Sequence, residues 1–395
     1  MIYSKNDPGI ISAECRDTYF KSLSEATMQE NSVYWYDQHD KHKRGLLFTD
    51  CVDEAHWEHL RNDPTAKILI YYGNEYFNLL DIEDVCRGIQ DHQIDPNSIW
   101  LITVDKNWVN WATEQFNKRN CIGINITDFN ALLLKTKIFP KNNFTTKTFS
   151  ALSRNYNKWR LKIFLELVER GLLDNFTYSF NNFLPYDIAK RVPHATILDD
   201  VESINYTKSK TVLKWVKNMP YTLNSEITNK WTDVSYTTIQ DAKIHLLIES
   251  HFDPFWNFQR HRSMIPIQSF SPAFPTEKTY KVMSCSRPFI AFSTPYFLKE
   301  LRELGYKTFH PIIDESYDEI ENDSLRLTAI ANEVERLCNL PAPALDVIYK
   351  QLQHICNYNR GTIMHKQKEV RFLGKFDWLN EYKEIFTGRT ISQQQ

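Results

Sequence analysis

Thr276, Glu277 and Lys278 stand together at the start of a helix-length segment, just ahead of the wholly apolar run 288–292. A threonine at such a point caps the first free amides of a helix. A helix start beside a sheet also attracts anions, because those amides are unpaired and the dipole is positive there. The carboxylate suits two vicinal hydroxyls of a ribose or another sugar, and the ammonium suits a phosphate. That is the chemistry of a nucleotide-sugar donor site; the same residues also fit a capped surface helix with a solvated Glu/Lys pair.

The elements that must position these residues follow from local pattern. Thr276 opens a helix, 288–292 is a buried strand, Thr294-Pro295 opens a second helix with Gly305 just past its end, and 306–309 reads as the next strand. An αβαβ run of this kind favours a parallel sheet with helices on its faces. Upstream, 148–152 reads as a strand, 153–155 as a turn, and Trp159, Ile163 and Leu167 recur at helical spacing until Gly171. Arg154 thereby falls between a strand and a helix start, with Arg160 about two turns later, and an arginine there offers a planar fork of donors to a diphosphate. The run 243–248 is a strand ending at Glu249, followed by the aromatic and basic loop 251–271 with Trp256, Arg260, His261 and Arg262. Shorter edge strands are expected at 178–180 and 196–198, and helices at 323–338, 343–358 and 376–386.

The first third shows the same alternation. Tyr34-Trp35-Tyr36 has strand character, and the short apolar runs 46–49, 68–72, 100–104 and 122–126 are separated by helical-length segments, as in a doubly wound sheet. Ligands of such sheets sit beyond the carboxyl ends of the strands, where Asp50, Glu75, Asp105 and Asp128 fall. Glu75, Asp105 and Asp50 are therefore the candidates for a general base that takes the proton of an acceptor hydroxyl; acidic residues also end strands simply by making turns.

With 395 residues the chain is long enough for two separate cores, and Phe139-Pro140-Lys141-Asn142-Asn143 interrupts both periodicities as a linker would. Only 10 glycines are present, with no GxGxxG or GxxxxGK[ST] string, so a glycine-rich phosphate loop is not expected. The net charge of −2 carries no overall basic field; a nucleic-acid partner would need a local patch, and Lys41-His42-Lys43-Arg44 is the densest. The seven cysteines are scattered without a CxxC pair, which argues for reduced thiols and a cytoplasmic protein. No apolar run approaches the ~20 residues that span a bilayer, so no membrane partner is expected. His39/His42 and His56/His59 share helical spacing but lack a second cysteine near Cys51, and no D-x-D triplet occurs, so no metal site is expected.

The strings Thr276-Glu277-Lys278-Thr279-Tyr280-Lys281, Arg287-Pro288-Phe289-Ile290 and Gly305-Tyr306-Lys307-Thr308-Phe309 resemble a pattern of glycosyltransferases encoded by tailed phages and large DNA viruses. So do Lys147 to Arg154, Arg160 and Gly171-Leu172-Leu173-Asp174, and the later half looks like the donor-binding half of fucosyltransferase-type enzymes of GT-B fold. The resemblance implies two Rossmann-like α/β domains with a C-terminal helical tail: an acceptor-side domain over 1–140, a donor domain over 141–322, and helices over 323–395 that pack back on the domains. It implies donor contacts at Arg154, Arg160, Glu249, Thr276, Glu277, Lys278 and Lys281, with a nucleotide-diphosphate sugar as substrate and no required cofactor. The acceptor implied is a hydroxymethylated base, or a sugar already on it, in duplex phage DNA, which places the enzyme in the host cytoplasm. A protein or lipid-linked glycan is the alternative acceptor, and a non-catalytic nucleotide-sugar-binding protein the alternative of another class.

Overall fold

The computed structural model describes residues 33–37, most of 49–72, 79–128 apart from 104–105, 145–249 apart from 185–186, 205–208 and 224–235, and 275–373, with the single positions Thr136, Ile138 and Phe252. The chain divides into two compact units, Met1–Leu134 with Asn257–Pro272 and Lys366–Gln395, and Lys135–Trp256 with Ala273–His365.

The first unit is built on four parallel strands in sequence order, β1 (Val33–Asp37), β2 (Lys67–Tyr72), β3 (Ile99–Thr103) and β4 (Asn125–Asp128). Parallel neighbours need crossover helices, and these are α1 (Glu54–Asn62), α2 (Leu79–Asp91) and α3 (Lys106–Asn117). Ile68, Ile70, Ile99 and Leu101 of the strands pack with Trp57, Leu60, Ile82, Val85, Ala112 and Phe116 of the helices in one core. Expected strands at 68–72 and 100–104 are present within a residue, and the fourth starts later than expected, at Asn125. β2 pairs with β1 on one side and β3 on the other, and of the expected strand at 46–49 only Thr49 is described. Thr49 lies outside any strand, with its amide (3.1 Å) and hydroxyl (2.5 Å) both donating to the buried Asp84 carboxylate of α2.

The second unit carries a five-stranded sheet in the order β7-β6-β5-β8-β9: β5 (Lys147–Asn155), β6 (Phe176–Leu184), β7 (Asp187–Arg191), β8 (Ala242–Ile248) and β9 (Phe289–Phe292). All neighbours are parallel except β7, which runs antiparallel on the edge beside β6. The sheet is flanked by α4 (Lys158–Glu169), α5 (His194–Ser203), α6 (Lys210–Lys217), α7 (Tyr236–Gln240), α8 (Glu277–Ser284) and α9 (Phe297–Glu303), then α10 (Asp323–Cys338) and α11 (Ala342–Leu373). The expected fold class, two Rossmann-like α/β sheets followed by C-terminal helices, is therefore the one observed.

Several local expectations change. Residues 153–155 are not a turn; β5 runs on to Asn155 through an irregularity in its pairing with β6. The segment 178–180 belongs to the interior strand β6 rather than an edge. The segment 196–198 is helical, because Ile197 and Val201 lie one turn apart and are buried together on α5. The helix after β9 starts at Phe297 with Tyr296 before it, not at Thr294-Pro295, although Gly305 does take the left-handed conformation (φ +85) just past its end. No strand forms at 306–309. There the side-chain amide of Asn359 on α11 occupies both backbone groups of Lys307, accepting from its N–H and donating to its carbonyl at 2.8 Å each, while the Phe309 amide donates to Glu315. The outward amide of β9 at Ala291 is likewise taken by the Tyr317 hydroxyl at 3.1 Å. The expected helix at 323–338 is α10, that at 343–358 is part of the longer α11, and 376–386 lies outside the described residues.

Ser150 and His245 face each other across β5 and β8, with Ser150 Oγ 2.8 Å from His245 Nδ1, both buried. Burial pushes the imidazole from its ordinary 6.5 down to about 3, so the folded protein keeps it neutral where the unfolded chain would protonate it. The stability this represents is complete above pH 6.5 and is lost as pH falls towards 3, amounting to about 2 kcal/mol by pH 5. Denaturant titrations at pH 7 and pH 5 are expected to show that loss in the parent and not in His245→Asn; equal losses would remove His245 as the source.

Candidate functional site: the carboxyl edge of the second sheet

Adjacent strands β5 and β8 end at Asn155 and Ile248, and the helices α4 and α8 begin on the same edge. Asn157 caps α4, its side-chain oxygen accepting from the Trp159 amide at 2.8 Å. Arg160 is consequently the third residue of the helix, in its first turn, and not further along its face. From there its guanidinium lies across the strand ends: Nη1 donates to the Asn155 carbonyl at 3.3 Å and Nη2 to the Glu249 carbonyl at 3.5 Å. Arg160 is 9% exposed, and its Nε has no partner among the described residues. It forms no ion pair among the described residues; burial lowers its pKa, and the charges of Glu277 and Glu249 work against that from a distance. A buried guanidinium without a close carboxylate is an expensive arrangement that an incoming anion would relieve.

Glu249, which follows β8, is buried and fastens the start of α8. Its carboxylate accepts from the Thr276 amide (3.3 Å), the Thr276 hydroxyl (2.5 Å) and the Thr279 hydroxyl. Thr276 does cap α8 as its sequence position suggests, accepting from the Lys278 amide at 3.3 Å. Lys278 Nζ lies 3.1 Å from Glu277 Oε1, 3.3 Å from Thr276 Oγ1 and 4.0 Å from Glu249 Oε2. Burial would raise the Glu277 carboxyl, but Lys278 and Lys281 together outweigh it and hold the group at about 2. Glu277 and Lys278 are each about a quarter exposed, at 26% and 27%.

The second unit thus brings together Arg160, Glu249, Thr276, Glu277, Lys278 and Lys281: three cations against two carboxylates, beside two helix starts. Arg154 stands within β5, half-buried, one residue before Asn155, and not beyond the strand. The neighbouring helix α9 contributes no anion site, because Asp318 already accepts from its Leu298 (2.8 Å) and Lys299 (3.0 Å) amides. Sequence reasoning passed over Asn155, Asn157 and Trp159; the cluster of asparagines between a strand and a helix was the available signal. Thr294, read as a helix cap, instead has a buried hydroxyl with no partner among the described residues.

Of the base candidates, Asp50, Glu75 and Asp105 lie outside the described residues, as do most of the loop 251–271, the linker 139–143 and His39/His42. Asp128 is the last residue of β4. Among the described residues no group of three or more His, Cys, Asp or Glu is placed to hold a metal ion, and no helix is long and apolar enough to cross a membrane.

Fold and site define a protein of two α/β units whose second sheet carries a cationic, hydroxyl- and carboxylate-lined edge. No family model matches the chain, and no curated protein does. Solved structures similar to it include a GtfA/B complex (11% identity, TM-score 0.38, 91% of this chain and 60% of that one) and the N-terminal domain of Candida albicans trehalose-6-phosphate phosphatase (8%, TM-score 0.45, 91% and 76%). A third is trehalose-6-phosphate from E. coli bound with UDP-2-fluoro glucose (11%, TM-score 0.40, 94% and 81%). The chain spans 60% of the length of the GtfA/B chain it matches.

Proposed function

We propose that the chain is a glycosyltransferase of GT-B type that takes its sugar from a nucleotide diphosphate held at the carboxyl edge of the second sheet. The observation that carries this reading is Arg160, a buried guanidinium with an unpartnered Nε and no ion pair among the described residues, set between the starts of α4 and α8. Arg160 would hold the diphosphate, with Lys278 turning from Glu277 towards it, and Arg154 adding a further contact. This fixed positive charge would stabilise the departing nucleoside diphosphate as a metal does elsewhere. Glu277 would accept from sugar or ribose hydroxyls, while Glu249 acts as a positioning residue, keeping Thr276 and the α8 amides in place.

The acceptor proposed is a hydroxymethylated base, or a sugar already on it, in phage DNA, with Glu75 as the base that takes its proton and Asp105 or Asp50 as the alternatives. The acceptor rests on the resemblance of the Thr276–Lys281 and Lys147–Arg154 strings, and the base candidates on their place just after apolar runs of the first third. The test is a panel of nucleotide sugars incubated with and without hydroxymethylated duplex DNA, in EDTA and in magnesium. Release of nucleoside diphosphate, stimulated by the DNA and surviving EDTA in single turnover, is the expected result. Stimulation by a glycan or protein acceptor instead would keep the enzyme and replace the acceptor; chemistry abolished by EDTA would remove the metal-independent site; no release under any condition would leave a binding protein.

A further inference from the structure

Cys86 on α2 and Cys121 just after α3 are free thiols buried in the core of the first unit. Local structure places each of them. Asn120 is left-handed (φ 60), and the Cys121 amide donates back to the Phe116 carbonyl at 3.0 Å, a closure that ends α3 and turns the next side chain in against the helix. Asn120 and Ile122 on either side are exposed, so Cys121 dips beneath a surface turn.

Cys86 faces that turn. It lies three residues after Glu83 and four before Gln90, so the three share a side of α2, and both of its neighbours there reach Arg119. Glu83 Oε1 accepts from Arg119 Nη2 at 3.1 Å, and Gln90 Nε2 donates to the Arg119 carbonyl at 3.3 Å. The Cys121 thiol donates to the same carbonyl at 3.7 Å. Cys86 and Cys121 are thereby brought within hydrogen-bonding reach of each other.

The two thiols are not equivalent. The hydrogen bond from Cys86 holds the Cys121 thiol below its ordinary value against the opposing effect of burial, with the Arg119 guanidinium adding to it, while the same bond and burial push Cys86 up. A thiolate is the form that attacks an oxidant, so Cys121 is the nucleophile and Cys86 the thiol that resolves the product. We propose that Cys86 and Cys121 form a redox modification site, at which hydrogen peroxide joins them in a disulfide that ties α2 to the turn feeding β4. The Cys121 thiolate attacks the peroxide and breaks its O–O bond, becoming a sulfenic acid and releasing one water. Cys86 then attacks the Cys121 sulfur, the S–S bond forms and the sulfenic oxygen leaves as a second water. The two sulfurs lose two electrons, and the peroxide takes these with the two thiol protons. This site is independent of the donor reading.

The folded parent, treated with hydrogen peroxide at neutral pH, alkylated in denaturant and mapped as peptides, is expected to show Cys86 joined to Cys121 at doses that leave the other cysteines alkylatable, and dithiothreitol is expected to reverse the link. Cys86→Ala removes the resolving thiol, so dimedone is expected to trap a sulfenic acid at Cys121 there, about tenfold more than in the parent. Cys121→Ala is expected to leave Cys86 alkylatable. Recovery of both cysteines as alkylatable thiols at every dose that leaves the parent folded, or equal dimedone labelling of Cys121 in the parent and in Cys86→Ala, overturns the assignment and reduces the pair to packed core thiols. If Cys86→Ala does not fold, the peptide map of the parent decides alone.

Discussion

Arg160→Met is expected to weaken nucleoside diphosphate binding about 100-fold while leaving the protein as stable as the parent or more so. The loss follows from removing two or more charge-assisted hydrogen bonds to the diphosphate, each about 1.5–3 kcal/mol, where 1.4 kcal/mol is tenfold. The unchanged stability follows from the free state: the two carbonyl contacts of Arg160 are long, at 3.3 and 3.5 Å, its Nε is unpartnered, and burial lowers its pKa. Exchanging a poorly compensated buried cation for an apolar chain of similar length is neutral or favourable in such settings. Calorimetric titration paired with thermal melting separates the two effects. Undiminished affinity would remove Arg160 from the site, and a collapse in melting temperature would show it to be a structural group.

Arg326→Met is expected to do the opposite, costing about 3–5 kcal/mol of stability, because the partner groups of a buried charge are left exposed to an apolar surrounding. Arg326 is 1% exposed and fully engaged. Its Nε donates to the Ser293 carbonyl (3.2 Å), Nη1 to those of Ile320 (2.8 Å) and Glu321 (3.1 Å), and Nη2 to the Phe252 carbonyl and the Asp323 carboxylate (2.5 Å each). The guanidinium also lies 4.2 Å from the centre of the Phe252 ring, which stacks on Phe292. Removing it leaves four carbonyls and a half-buried aspartate without their donor. Denaturant unfolding of the two variants in parallel is the check; if both arginines respond alike, satisfaction of the guanidinium is not what distinguishes them.

What could be read from the sequence was what short-range rules decide. Thr276 as a cap, Gly305 past a helix end, and apolar runs such as 68–72 and 288–292 depend on neighbours a few residues away, and the structure places them within a residue or two. The misplacements have distant causes. Residues 306–309 have strand composition, yet the partner of Lys307 is a side chain 52 residues later, which no local pattern announces. The segment 196–198 is β-branched and apolar, but tertiary burial of one helical face decides its state. Arg160 was picked out by type and resemblance; its burial across two strand ends depends on α4 starting at Lys158, and so on the cap at Asn157, which the turn expected at 153–155 concealed. Thr294 illustrates the limit: a threonine before a proline looks like a cap, and only the fold reveals that its hydroxyl has nothing to hold.

The amide of Asn359 against Lys307 has a consequence for how this protein behaves in a crowd. An edge strand recruits foreign strands because its backbone groups wait in a row. Beside β9 the outward amide of Ala291 is held by the Tyr317 hydroxyl, and further along the chain one asparagine answers both backbone groups of Lys307 as a neighbouring strand would. A side-chain amide imitates a single rung and cannot extend it, since it comes from a helix with no second rung to offer. The stretch at Lys307 is therefore answered by a counterfeit partner that does not continue it, and a foreign strand arriving there meets backbone groups already held by α11.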